Sequence, residues 1–144
     1  MAETLFRRIL VPIANEDDAA ATAAALGPYL DGAAAEVVAV AVVEKAGGAP
    51  DKASVEQRER HAEASFDRFR TGLGDVDVET EIRYGTDVAE TIVDAAHDVG
   101  ASAIVFTPRG GSRWIKLLTG DVTTNLVADS DLPVVVLPDP GDGE

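Results

Sequence analysis

The 144-residue chain is expected to fold as an α/β domain on a doubly wound parallel sheet, and three observations predict it. Apolar strand-like runs alternate with helical stretches along the length. The runs are near-continuous in Val, Ala, Ile and Leu, the pattern of strands covered on both faces. Hydrophobic residues are 46% of the chain but aromatics only 5%, so small side chains must build the core and let helices press closely on the sheet.

Five strand candidates are readable. Phe6 to Ile13 is apolar and punctuated by Pro12. Glu36 to Glu44 (EVVAVAVVE) is an almost unbroken Val/Ala run, and Val76 to Tyr84 alternates more openly. Ala103 to Thr107 and Leu132 to Leu137 are short and apolar.

Four helices separate them. Glu16, Asp17 and Asp18 place acids at the positive end of the first, which is disturbed at Gly27-Pro28 and closes by Gly32. Ser54 with Gln57 forms a capping-box pattern for the second, after a loop over Ala46 to Lys52. Val55, Ala62, Phe66, Phe69 and Leu73 then recur at helical spacing until Gly72 or Gly74 ends it. Thr86 or Asp87 caps the third, whose stripe of Val88, Ile92, Val93, Ala96 and Val99 stops at Gly100. The fourth lies within Gly120 to Ala128. One domain over residues 1–138 is expected, with residues 139–144 (DPGDGE) a disordered tail.

Composition narrows the function. No apolar run reaches the roughly 18 residues of a membrane span, and the first residues lack a signal peptide, so a cytoplasmic protein with no membrane insertion is expected. The absence of cysteine excludes disulfides, thiol catalysis and Cys-type zinc sites. A formal charge of −14, from 26 acids against 12 bases, repels nucleic acid. Ordinary acidic solubility is one reading of that charge. Only three bases are lysines (Lys45, Lys52, Lys116). That depletion, with the Asp excess, favours the other reading, a haloarchaeal-type protein of a saline cytoplasm.

Catalytic patterns are absent. His61 and His97 are the only histidines, the first on a charged helix and the second beside an apolar stripe. Neither lies in a metal-ligating spacing, and no nucleophile elbow or Walker loop occurs. The Asp17-Asp18 pair reads as a solvated face in so acidic a chain. No enzyme is expected.

Ligands of doubly wound sheets sit beyond the carboxyl ends of the strands. The segment Thr107-Pro-Arg-Gly-Gly-Ser-Arg-Trp leaves the fourth strand, and Gly120-Asp121-Val122 opens the last helix. Glycine loops that lead into helix starts can cradle phosphate, and equally serve as plain turns. Trp114 fits either covering a helix end or touching a ligand.

The chain resembles the universal stress proteins in RRILVPI at its start, in Gly85-Thr86-Asp87, and above all in G-x9-GDVxxNLVxxSDLPVVVL from Gly110 to Leu137. The resemblance implies a five-stranded parallel sheet in the order 3-2-1-4-5 with helices on both faces. It also implies a homodimer through the last strand, here Val134, Val135, Val136 and Leu137. One branch of the family binds ATP and carries G-x2-G-x9-G-S/T. On that frame the pocket takes Pro12, Ala14 and Val42 from the first two strands and the turn between them and the helices. Thr107, Arg109, Gly110, Gly120, Asp121 and Val122 complete it.

Three positions depart from the frame: Thr107 replaces the first glycine, Asp121 the hydroxyl residue, and Ala14 the acid that contacts the nucleoside. A carboxylate about 4 Å from a phosphate charge costs on the order of 4 kcal/mol at an effective dielectric near 20. That is roughly a thousandfold in affinity. Arg109, Arg113 or a Mg²⁺ ion would offset part of it. The expected function is a non-enzymatic binding and regulatory module with a degenerate nucleotide pocket and no cofactor. The alternatives are an ATP- or AMP-binding member, with Mg²⁺, and a subunit related to domains fused to membrane transporters, with a transporter or regulatory protein as partner.

Overall fold

In the computed structural model the described residues are 6–13, 15–30, 35–44, 52–74, 76–106 and 130–137. Ile9, Leu10 and Val11 are each fully buried, so the first strand, β1 (Arg8–Pro12), lies at the centre of the sheet. It pairs in parallel with β2 (Glu36–Glu44) on one side and β4 (Ala103–Phe106) on the other. β3 (Val78–Gly85) and β5 (Val134–Val136) form the two edges, so the order is β3-β2-β1-β4-β5, as expected.

The helices divide between the two faces. Ile9, Val11 and Ala39 pack with Ala19, Ala23 and Leu26 of α1 (Glu16–Leu30) and with Phe66 and Phe69 of α2 (Lys52–Leu73). On the opposite face Leu10, Val38, Val40 and Ile104 meet Ala89, Ile92, Ala95 and Ala96 of α3 (Val88–Val99). Each large apolar side chain buried this way contributes about 1.5–3 kcal/mol, and alanines on the helices keep the layers close.

Local signals account for the helix ends, with one correction at the start of α2. α2 begins at Lys52, so Lys52 is not loop and Ser54 lies inside the first turn instead of capping it. Lys52 and Ala53 are good helix formers and extend the helix past the capping-box pattern. α1 runs through Gly27-Pro28 to Leu30, since a proline in the last turn removes one internal hydrogen bond without ending the helix. Gly74, at φ +72°, ends α2 with its N–H on the Arg70 carbonyl at 3.1 Å. Asp87, not Thr86, caps α3: its Oδ1 accepts from the Glu90 N–H at 3.0 Å. β2 spans the whole run read from sequence, β1 and β5 are shorter than theirs, and β3 begins at Val78 and ends at Gly85. The fourth helix and the tail lie outside the described residues.

At the amino edge Arg8 ties three strands together. Its guanidinium bonds Glu36 of β2 at 2.9 Å and Glu79 of β3 at 3.1 Å, while Nε donates to the Val99 carbonyl at 2.6 Å. The carboxylates of Glu79 and then Glu36 raise the Arg8 pKa further.

The two sheet edges differ. On β3, Glu79, Glu81 and Arg83 alternate along one face, a charged edge that discourages strand addition. On β5 no residue is charged and Val136 is 48% exposed.

Candidate functional site at the carboxyl edge of the sheet

Strand register gives the carboxyl edge a step. Pro12 at the end of β1 is level with Val40, and β2 and β3 continue four residues further, to Glu44 and Gly85. At ~3.3 Å per residue they rise about 13 Å above the ends of β1 and β4. Because β1 leads to β2 on one side and β4 to β5 on the other, this step stands at the reversal of strand order, where such sheets bind ligands.

Pro12 and Val42 both stand at this step. Pro12 is buried on the floor and Val42 stands two residues above its register partner's level on the wall. By strand alternation both lie on the α3 side, the face of Leu10, Val38 and Val40, and Val42 packs against that cluster. Ala14, Thr107, Arg109, Gly110, Gly120, Asp121 and Val122 lie outside the described residues, as does Trp114.

Two described helix starts border this edge, and both carry acids. Asn15 caps α1, its Oδ1 accepting from the Asp18 N–H at 2.8 Å, and Glu16, Asp17 and Asp18 fill the first turn. Asp87 caps α3, with Glu90 in its first turn. Carboxylates already occupy the positive ends of both dipoles, which disfavours a second anion there. The arginine beside Val42 is engaged as well. Arg83 binds Asp98 of α3 and Glu81, each at 2.6 Å, and their hydrogen bonds raise its pKa, Asp98 more than Glu81. At the top of the wall the Tyr84 hydroxyl donates to Glu59 of α2. That bond, then desolvation, pushes the Tyr84 pKa up.

Asp18 corrects the solvated-face reading of the acid pair. Asp17 is exposed, but Asp18 is only 2% exposed, and the Thr22 hydroxyl donates to its Oδ1 at 3.3 Å. Asp18, Thr22 and Ala25 recur at helical spacing and are all buried, a second stripe beside that of Ala19, Ala23 and Leu26. The spacing is visible in the sequence, yet an acid reads as surface by default. His61 is exposed, and His97, also exposed, has its Nε2 2.7 Å from Asp131 Oδ1.

The family model "Universal stress protein family" matches residues 5–138. The chain belongs to the universal stress protein family. Solved structures agree on the fold of this stress-family chain. A universal stress protein family member from Burkholderia pseudomallei is 26% identical, with a TM-score of 0.68 over 93% of this chain and 97% of its own. The universal stress protein of Archaeoglobus fulgidus in complex with dAMP is 20% identical, with a TM-score of 0.64 over 92% of this chain and 98% of its own. A universal stress protein in complex with cAMP is 18% identical, with a TM-score of 0.64 over 92% and 97%. No curated protein matches the chain. Among the described residues no helix is long and apolar enough to cross a membrane.

Proposed function

We propose that this chain is a non-enzymatic binding and regulatory member of its family, a homodimer whose nucleotide pocket is degenerate. The observation that carries the reading is the contrast at the stepped edge. The apolar shelf of Pro12 and Val42 suits a flat nucleoside ring, whereas the described charged groups around it suit no polyphosphate. Relatives of the same fold in complex with dAMP and cAMP support a nucleotide-sized ligand at this edge. Thr107, Asp121 and Ala14 add three departures from the ATP-binding frame. Thermal shift tests this: a ligand at 100 times its dissociation constant stabilises by about 2.7 kcal/mol. Millimolar ATP with Mg²⁺ is expected to leave the melting temperature nearly unchanged, and a shift of several degrees would contradict the reading.

The dimer rests on the uncharged edge. A second copy of β5 would cover Val136 and complete a two-fold contact centred on Val134 to Leu137. Val135→Lys is expected to give a soluble monomer by light scattering at micromolar concentration. A wild type already monomeric there, or a variant that stays dimeric, places the interface elsewhere.

A further inference from the structure

Phosphate sites on sheets of this kind draw on helix starts, whose open N–H groups and dipoles receive an anion. Two described helix starts flank the shelf. The α1 cap, Asn15, follows soon after Pro12, and the Ile13 N–H still bonds the Val40 carbonyl at 2.8 Å. The floor of the step therefore runs straight into that helix. α3 begins beside the wall, where its Val88 packs against the same cluster as Val42. Among the described helices only α2 lacks an acid in its first turn, and it lies on the opposite face of the sheet.

At each flanking start a donor is already spent on the cap. The Asp18 N–H goes to Asn15 Oδ1 at 2.8 Å, and the Glu90 N–H to Asp87 Oδ1 at 3.0 Å. Around these donors stand carboxylates, with Asp17 exposed on α1 and Glu90 exposed on α3. Arg83, level with Val42 on the neighbouring strand, is turned to Asp98 and Glu81 at 2.6 Å each. The sequence repeats the pattern at the fourth helix, which is expected to open on Asp121. An uncharged ring meets only buried Pro12 and half-buried Val42 and is indifferent to those acids. A phosphate ester meets the acids as well, and its cost grows with its charge.

We infer that the ligand of this shelf is an uncharged nucleoside, and that the acid-bearing starts of α1 and α3 reject its phosphate esters more strongly the higher their charge. The inference rests on the shelf proposed above and adds the class of ligand it takes. Repulsion of this kind acts at a solvated rim, so salt screens it. The Debye length falls from about 10 Å at 0.1 M to 3 Å at 1 M. The repulsion is also local. The net charge of −14 acts on an anion from the whole surface, whereas Asp17 and Glu90 act at the two helix starts.

The test is isothermal titration of the full chain with adenosine, cAMP and AMP, which carry no charge, one negative charge and about two. In about 0.1 M KCl wild type is expected to bind adenosine about tenfold tighter than AMP, with cAMP between them. In about 1 M KCl the gap should close to about threefold or less. Asp17→Asn combined with Glu90→Gln should tighten AMP about threefold and leave adenosine unchanged. Glu63→Gln combined with Asp67→Asn, on the exposed face of α2, should change neither ligand. AMP binding as tight as adenosine would mean that Arg109 and Arg113 outweigh these acids, and overturns the inference. With ATP and Mg²⁺ still silent, the degenerate-pocket reading survives that result. An equal gain from the α2 pair would assign the selectivity to net charge and also overturns the inference. If wild type binds neither adenosine nor AMP, the shelf itself fails and the inference with it.

Discussion

Gly85→Val is expected to destabilise the protein by about 2–3 kcal/mol. A Cβ on Gly85 would lie 2.1 Å from the Thr91 Oγ1 and 3.3 Å from its Cβ. Thr91 has little room to give, because its hydroxyl donates to the Asp87 carbonyl at 2.7 Å and its N–H bonds the same oxygen at 3.0 Å. The new side chain therefore wedges the end of β3 away from the capped first turn of α3. Overpacking of this kind costs about 1–3 kcal/mol, and loss of the Asp87 cap adds about 1 kcal/mol. Valine's better strand propensity returns at most ~1 kcal/mol, so the clash decides the sign. At about 2–4 °C per kcal/mol for a chain of this size, the melting temperature should fall by roughly 5–10 °C. Thr91→Ala should recover much of the loss when combined with Gly85→Ala, with a coupling energy above about 1 kcal/mol in the cycle. Additive single effects would show that the contact does not govern the site.

The second large effect is expected from salt. With 26 acids against 12 bases, self-repulsion acts across the whole surface. Several described cations are spent on carboxylates: Arg8 holds two, Arg83 two, and Arg68 and Arg70 one each. Salt weakens those pairs too, but each exposed pair is worth only about 0–1 kcal/mol. The long-range repulsion is screened far more completely, as the Debye length drops from about 30 Å at 0.01 M to 3 Å at 1 M. Repulsion should dominate, and KCl raised over that range should lift the melting temperature by on the order of 10 °C. Such a rise is what a saline cytoplasm would select for. A flat response would leave acidic solubility as the whole meaning of the charge.

The fold was legible because its signals are local and repeated. Continuous Val/Ala runs marked buried parallel strands, and spacing gave the α3 stripe with its Gly100 end and narrowed its cap to Thr86 or Asp87, of which Asp87 is the one. Two readings failed: the helix propensity of Lys52 and Ala53 carries α2 past a plausible cap, and burial claims Asp18 despite its charge. At the candidate site, Pro12 and Val42 were within reach of sequence because they sit on strands. The step that gives them a wall depends on how far β2 and β3 outrun β1, which no single stretch of sequence encodes. The side-chain contacts of Arg83 with Asp98 and of His97 with Asp131 join residues 15 and 34 positions apart, beyond any helical or strand periodicity.

In the function proposed for it, this family member keeps a shelf for a nucleoside but has lost its hold on a polyphosphate. Isothermal titration with ATP and Mg²⁺ tests it most directly, comparing wild type with the double variant Ala14→Asp, Asp121→Ser. Restoring the hydroxyl at 121 removes a carboxylate whose repulsion costs on the order of 4 kcal/mol, and the acid at 14 offers a nucleoside contact. The expected result is heat too weak to fit for wild type, and binding tightened by a hundredfold or more in the variant, on the order of 3 kcal/mol. Tight binding by wild type, or none by a folded double variant, would contradict the account.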